Sequence, residues 1–254
     1  WDYVDANDAV FYSGFDGRKN LKTNLYRDKY DKGSALYLSF DFNIFPYVSC
    51  MAAQAFPEEK VVRIFTEILG LPEKKQNRTI KTAELAAKHF KDHNGIIYVT
   101  GDPSGIREDT RSDQGQNDFS QILRGLRSEN KTGKLKLIKK APSVSLRGEW
   151  LNILLSGEDP DGWSIEIDTV NCRKLTEDFI YGLAAEDGGK DKKKVTDVET
   201  GVRYEKFHHM SDAFDYLMLA ILKKSYYVHK KGGKGAKSTS PIKPDYVPQA
   251  KHGW

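Results

Sequence analysis

Cysteine is nearly absent from this sequence: Cys50 and Cys172 are the only two in 254 residues. Two thiols cannot build a four-ligand zinc site, and they exclude a disulfide-stapled scaffold. A reducing cytoplasm fits best. Long apolar runs are missing as well. No stretch approaches the roughly 20 residues needed to cross a bilayer. The start, Trp1-Asp2-Tyr3-Val4-Asp5, has neither the basic nor the apolar region of a secretory signal. It also lacks Met, as expected of a piece of a longer protein. No charge of one sign dominates: 40 Lys plus Arg against 36 Asp plus Glu leave +4, too little to announce nucleic-acid binding by itself. No internal repeat is visible.

What is present describes a wet-surfaced globular chain, with 30% charged residues, 39% hydrophobic residues and a mean hydropathy of −0.62. The length suits one large domain or two small ones. The basic residues are unevenly spread. Lys131, Lys134, Lys136, Lys139 and Lys140 form one cluster, and from Lys223 to Trp254 there are eight Lys and a single acid, Asp245. Such clusters can neutralise phosphates, although from charge alone a solvated face and a loose tail are the plainer explanation.

Residues 1–34 are polar, dotted with aromatics and broken by glycines, and read as an N-terminal segment packed on the outside. Apolar, strand-type runs at 35–42, 47–55 and 61–69, with short breaks, predict an antiparallel three-strand meander. Helical spacing follows over 82–90, then a short buried strand of parallel type at 96–99. Further helices are expected at 117–126, 143–155, 172–181 and 208–224, and strands at 135–138 and 164–167. The charged stretch 186–205 predicts a hairpin or loop insertion, and 225–254 a basic, flexible tail. The order describes an α/β fold, a mixed sheet of meander plus parallel strands flanked by helices.

Three acids stand where acids are costly or suggestive. Asp41 lies between Phe40 and Phe42 in a run that otherwise favours burial, and a buried carboxylate needs a partner or a cation. It could also be an ordinary strand-end residue. Asp102 follows the parallel strand directly, where open α/β sheets place their sites, although Asp-Pro also builds turns. Asp212 flanks an apolar stripe of Met210, Phe214, Leu217, Met218 and Ile221, with His209 on the same side. A favourable acid at a helix N-terminus explains this residue equally well when it is taken singly. Together, three carboxylates at one sheet edge would require cations. With no Cys in the set, Mg²⁺ or Mn²⁺ is the expected pair of ions, which would support in-line attack of water on a phosphodiester. His209 would then be a further ligand or a proton shuttle. Asp215 turns away from the stripe and is left out of the core set.

The segments Leu38-Ser39-Phe40-Asp41-Phe42-Asn43, Tyr98-Val99-Thr100-Gly101-Asp102-Pro103-Ser104-Gly105 and His209-Met210-Ser211-Asp212-Ala213-Phe214-Asp215-Tyr216 together resemble the C-terminal nuclease domain of the large terminase subunit of tailed bacteriophages, a ribonuclease H-like fold. The resemblance spans about residues 35–224. It implies a metal-dependent endonuclease that cuts concatemeric phage DNA during genome packaging, in the cytoplasm of the infected bacterial host. Asp41, Asp102 and Asp212 would hold two divalent ions, with His209 beside them as a catalytic residue. Arg107, Arg111, Arg124 and, on the hairpin, Lys192, Lys193 and Lys194 would contact DNA. The implied partners are double-stranded DNA and, through the full-length protein, the portal protein and the small terminase subunit; no membrane is implied. The family's ATPase motor is expected to lie outside this chain, because the nearest lookalike of a phosphate loop, Gly232-Gly233-Lys234-Gly235-Ala236-Lys237-Ser238-Thr239, lacks the required Gly and follows no strand. Glu84, on the first predicted helix, is expected to pair with Lys81 or Lys88. Two other readings share parts of this pattern: a non-catalytic DNA-binding or portal-docking module, and another ribonuclease H-like nuclease such as a junction resolvase.

Overall fold

Continuous apolar runs form the centre of the sheet, and the polar segments decorate its edges. The computed structural model describes residues 9–107 and 116–232. In chain order the elements are α1 (Gly17–Asn20), β1 (Leu21–Lys22), α2 (Leu25–Lys29), β2 (Leu36–Asp41), β3 (Val48–Phe56), β4 (Val61–Gly70), α3 (Thr79–His89) and β5 (Ile97–Gly101). These are followed by α4 (Asp118–Ser128), β6 (Gly133–Leu135), α5 (Val144–Ser156), β7 (Ser164–Asp168), α6 (Arg173–Tyr181), β8 (Lys194–Thr196), β9 (Arg203–Glu205), α7 (His209–Ile221) and α8 (Lys223–Gly232).

Seven strands make one sheet in the order β1-β7-β4-β3-β2-β5-β6. β3 is antiparallel to β2 and β4, whereas β5, β6 and β7 join in parallel. This is the mixed sheet expected from the meander and the short buried strands, as the resemblance to a ribonuclease H-like fold also implies. Apolar side chains alternate to both faces, so each face carries a helical layer. On one face Leu36, Leu38 and Phe40 pack with Ala83, Ala86 and Phe90 of the α3 region and with Phe119, Ile122 and Leu126 of α4. On the other, Met51, Ile64 and Ile167 pack with residues of α5, α6 and α7, among them Trp150, Phe179 and Phe214. No helix among the described residues is long and apolar enough to cross a membrane.

Three expectations need correction. The N-terminal segment is not merely external: Phe11 and Tyr12 are buried in the core, and β1 pairs with β7 at the sheet edge. The strand expected at 135–138 forms earlier, at Gly133–Leu135, because the parallel register with Ile97–Val99 ends there. Residues 225–232, expected as tail, belong to α8, where buried Ser225 accepts a hydrogen bond from Trp150 Nε1 at 3.0 Å and donates to Asp159 at 2.7 Å.

Candidate active site

Alternation along β2 decides where its acid points. Leu36, Leu38 and Phe40 face α3 and α4, so Ser39 and Asp41 face α7. Ser39 Oγ donates to the Ala213 carbonyl at 2.7 Å. β5 runs alongside with Ser39 opposite Thr100 and Phe40 opposite Gly101, and the Asp102 N–H donates to the Phe40 carbonyl at 3.0 Å. Asp41 and Asp102 therefore come next on the carboxyl ends of two neighbouring strands. Glycine is required between them: a Cβ at Gly101 would overlap the Phe40 carbonyl oxygen. Asp102 then starts a tight turn, its Oδ1 accepting from the Ser104 N–H at 2.8 Å.

Asp212 enters from the first turn of α7. That helix is anchored by Asp178 of α6, whose carboxylate accepts from the N–H groups of His208, Met210 and Ser211 at 2.9, 3.0 and 2.9 Å. These are the orphan donors of a helix start. His208 turns the chain into the helix with a left-handed backbone, φ 79°. Burial pushes the Asp178 carboxyl up to about 6, against the opposing pull of those N–H groups. In Asp178→Asn, one acceptor oxygen becomes an NH₂ facing at least one backbone donor. The variant should lose about 1–3 kcal/mol of stability, read as an earlier denaturant midpoint at an unchanged m-value. A wild-type midpoint would refute this anchoring role.

The three acids share one electrostatic neighbourhood. Asp41 is only 4% exposed, and its carboxyl is driven well above the usual range by burial, then by Asp212, then by Asp102. Asn43 Nδ2 donates to Asp41 Oδ2 at 2.7 Å. Asp212 has the opposite balance. Burial alone would raise its carboxyl, but Lys190 and then Lys192 hold it well below the usual range, at 2.7 Å from Oδ1 and 3.3 Å from Oδ2.

Behind Asp212 lies a buried network that sequence reasoning missed. Asp215 is fully buried, accepts from Tyr12 Oη at 2.6 Å, and pairs with Lys190 at 2.9 Å and Arg147 at 3.2 Å. Leaving Asp215 out of the core set rested on its angle from an apolar stripe. α7 is buried on nearly every side, so no stripe singles out one face. Lys190 gave no sign of burial either, because a lysine in the run Gly188-Gly189-Lys190-Asp191-Lys192-Lys193-Lys194 reads as solvated. In the structure its side chain is 1% exposed, and its ammonium lies 5.4 and 5.2 Å from the ring centroids of Phe11 and Tyr12.

His209 reaches the acids indirectly. Its Nε2 lies 2.7 Å from the Glu205 carbonyl, which can only accept, so Nε2 carries the proton and Nδ1 the lone pair. Nδ1 faces the Asn43 amide at 3.5 Å, and burial lowers the imidazole's affinity for a second proton. Glu205 closes the small hairpin β8–β9, and its Oε2 lies 2.9 Å from Lys192 Nζ. The edge-on contact of Phe45 with Tyr204 at 5.1 Å ties this hairpin to the β2–β3 loop.

The remaining candidates are spread around this centre. Lys193 and Lys194 are exposed on the hairpin, Arg107 is exposed after the turn that Asp102 begins, and Arg124 is exposed on α4 with Nη1 3.4 Å from Gln116. Arg111 lies outside the described residues. Glu84 makes an ordinary helix-surface pair with Lys81 at 2.8 Å. Among the described residues, no three His, Cys, Asp or Glu side chains are gathered as a ready-made metal cage.

The class defined by this geometry is a ribonuclease H-like α/β sheet with carboxylates at two adjacent strand ends and a third on the last core helix. Among solved proteins, the large terminase of a thermophilic bacteriophage shares the fold. Its complex with ADP matches at TM-score 0.54 and 15% identity over 85% of this chain and 45% of that one. Another crystal form of the same terminase matches at TM-score 0.53 and 13% identity over 85% and 46%. The chain thus spans about half the length of that terminase. A looser match, at TM-score 0.45 and 14% identity over 80% and 96%, is the nuclease domain of the large terminase of bacteriophage SPP1 with bound Mn. No family model and no curated protein matches the sequence.

Proposed function

We propose that this chain is the DNA-cutting part of a large terminase, a Mg²⁺- or Mn²⁺-dependent endonuclease that cuts concatemeric phage DNA during genome packaging in the infected bacterium. One observation carries the reading: Asp41 is buried beside two further carboxylates that push its own carboxyl far upward. A fold that keeps such an arrangement gives up stability for it, and like charges at one place are the usual mark of a cation-dependent site.

The donor chemistry fits a hard divalent cation. Asp41 and Asp102 present carboxylate oxygens at adjacent strand ends, and no ammonium or guanidinium of the described residues lies within ion-pair distance of either. Asp41, Asp102 and Asp212 would hold the two ions. When bound, Mg²⁺ or Mn²⁺ lowers the pKa of a bound water and stabilises the leaving oxygen of a phosphodiester. The chain's own residues prepare for this. Asn43 fixes the Asp41 carboxyl and is itself oriented by the lone pair on His209 Nδ1. Lys190 fixes Asp212 from its buried side, and Lys192 covers its other oxygen from the hairpin. Lys193, Lys194, Arg107 and Arg124 are exposed and would meet phosphates, and Arg111 is proposed for the same role. In this reading the portal protein and the small subunit are met by the full-length protein.

A second reading, a DNA-binding or docking module without catalysis, draws on the two lysines that already neutralise Asp212. Plasmid cleavage separates the two. Supercoiled DNA incubated with the wild-type chain should be nicked and linearised with Mn²⁺ or Mg²⁺ and remain intact with EDTA. Intact plasmid under both conditions, at high protein concentration, would leave the docking module standing alone.

A further inference from the structure

The two basic clusters of the sequence, about 90 residues apart, meet in the fold. Lys136, Lys139 and Lys140 from the segment after β6, and Lys223 from the start of α8, line one groove of about 440 Å³ together with Tyr226 and Tyr227. No carboxylate is among the groove's lining residues, and none of the described acids lies within ion-pair distance of these four ammoniums. Tyr37 and Tyr98 stack at 5.1 Å, and Lys136 Nζ lies 4.9 and 5.3 Å from their ring centroids. This holds one ammonium in place on an aromatic base. Lys139, Lys140 and Lys223 are exposed, and α8 continues the positive surface with Lys224, Lys230 and Lys231.

We propose that this groove is a second DNA-binding surface, gripping the phosphodiester backbone of duplex DNA at the end of α7 opposite the acids. Four uncompensated lysines on two walls form a concentrated positive surface, and lysines act as point charges that bind phosphate without demanding a forked geometry. The groove therefore takes a polyanion of repeated single charges. The choice of DNA over an acidic peptide rests on the nuclease reading above. Eleven residues separate Asp212 from Lys223, roughly 16 Å along a helical path, which is about five base-pair steps of a duplex. A single helical turn of DNA is thus long enough to span that separation.

The test is duplex binding by the full chain in EDTA, where cutting cannot interfere, over a range of salt. Lys139→Glu/Lys140→Glu/Lys223→Glu is compared with Arg18→Glu/Lys19→Glu/Lys29→Glu, an equal charge change among exposed residues at the opposite sheet edge. The groove variant should bind at least tenfold more weakly, with a log–log salt slope shallower by about 2 to 3, at about 0.9 for each phosphate no longer neutralised. The far-edge variant should change less than threefold. Equal losses in both variants would assign the effect to net charge and overturn the groove. So would a wild-type chain that fails to bind duplex, or one that prefers polyglutamate to DNA. Because binding is read without metal, a groove effect in a protein that never cuts would sink the nuclease reading alone. Cleavage with equal losses in the two variants would sink this one alone.

Discussion

The Asp41→Asn protein is expected to lose metal-dependent cleavage by about 10³-fold or more and, at the same time, to unfold at a higher denaturant concentration than wild type. The first effect follows, in the proposed reading, from removing a charged ligand. A bound cation contributes several kcal/mol of charge stabilisation to phosphodiester hydrolysis, and about 4 kcal/mol of barrier corresponds to 10³ in rate. The second follows from the carboxyl itself. Asp41 is buried and feels the charges of Asp212 and Asp102, and all three influences disfavour its charged form. A neutral amide of the same shape removes that repulsion and can still meet Asn43. A gain of about 1 kcal/mol is the expected scale for relieving a strained functional site. Single-turnover cleavage and urea unfolding measure the two effects separately. Wild-type cutting by Asp41→Asn would end the nuclease reading. Lost cutting together with lost stability would instead mark Asp41 as a structural residue.

Lys190→Met should be the most destabilising single change in the site, by about 3–5 kcal/mol, the scale for removing one partner of a buried ion pair. The ammonium sits between Asp212 and Asp215 with 1% of its side chain exposed. Without it, Arg147 remains for Asp215 and the half-exposed Lys192 for Asp212. The unfavourable part of the change is the carboxylate left behind, so adding Asp215→Asn should return part of the loss. A coupling of about 0.5–3 kcal/mol is the range for residues in one network. Lys190→Arg, which keeps the charge, provides a folded comparison. If the single and double variants unfold at strictly additive midpoints, the proposed linkage through Lys190 is wrong.

Much of the architecture was legible because each central element has an unmistakable local pattern. The runs at 35–42 and 61–69 are apolar on both parities, as befits strands covered on both faces, and the structure places them at β2 and β4. Asp41, Asp102 and Asp212 stood out because each interrupts or abuts such a pattern. Their proximity depended on topology, and the parallel pairing of β2 with β5 is what brings the first two side by side. The supporting network was not legible. Tyr12 sits in a polar segment, Lys190 in a charged loop and Arg147 in a largely apolar helix without a distinct polar face. None of them has a periodicity that foretells burial against an acid 25 to more than 200 positions away. One clue was available: Asp215 lies three residues after Asp212 on a helix with almost no polar face, so a second acid there needed a buried cationic partner.

The hydrogen bond from Tyr12 to Asp215 spans 203 positions of the chain, and that distance has a consequence for synthesis. A ribosome releases the N-terminal half of this pair long before it makes the other. Phe11 and Tyr12 must wait for α6 and α7, which cover them, and closing so long a loop is entropically slow. Nascent chains stopped short of α7 therefore contain two of the three acids and the lysines that pair with the third, but not the third itself. In the nuclease reading, newly made protein gains its full set of acids, and with it any action on DNA, only once α7 has docked.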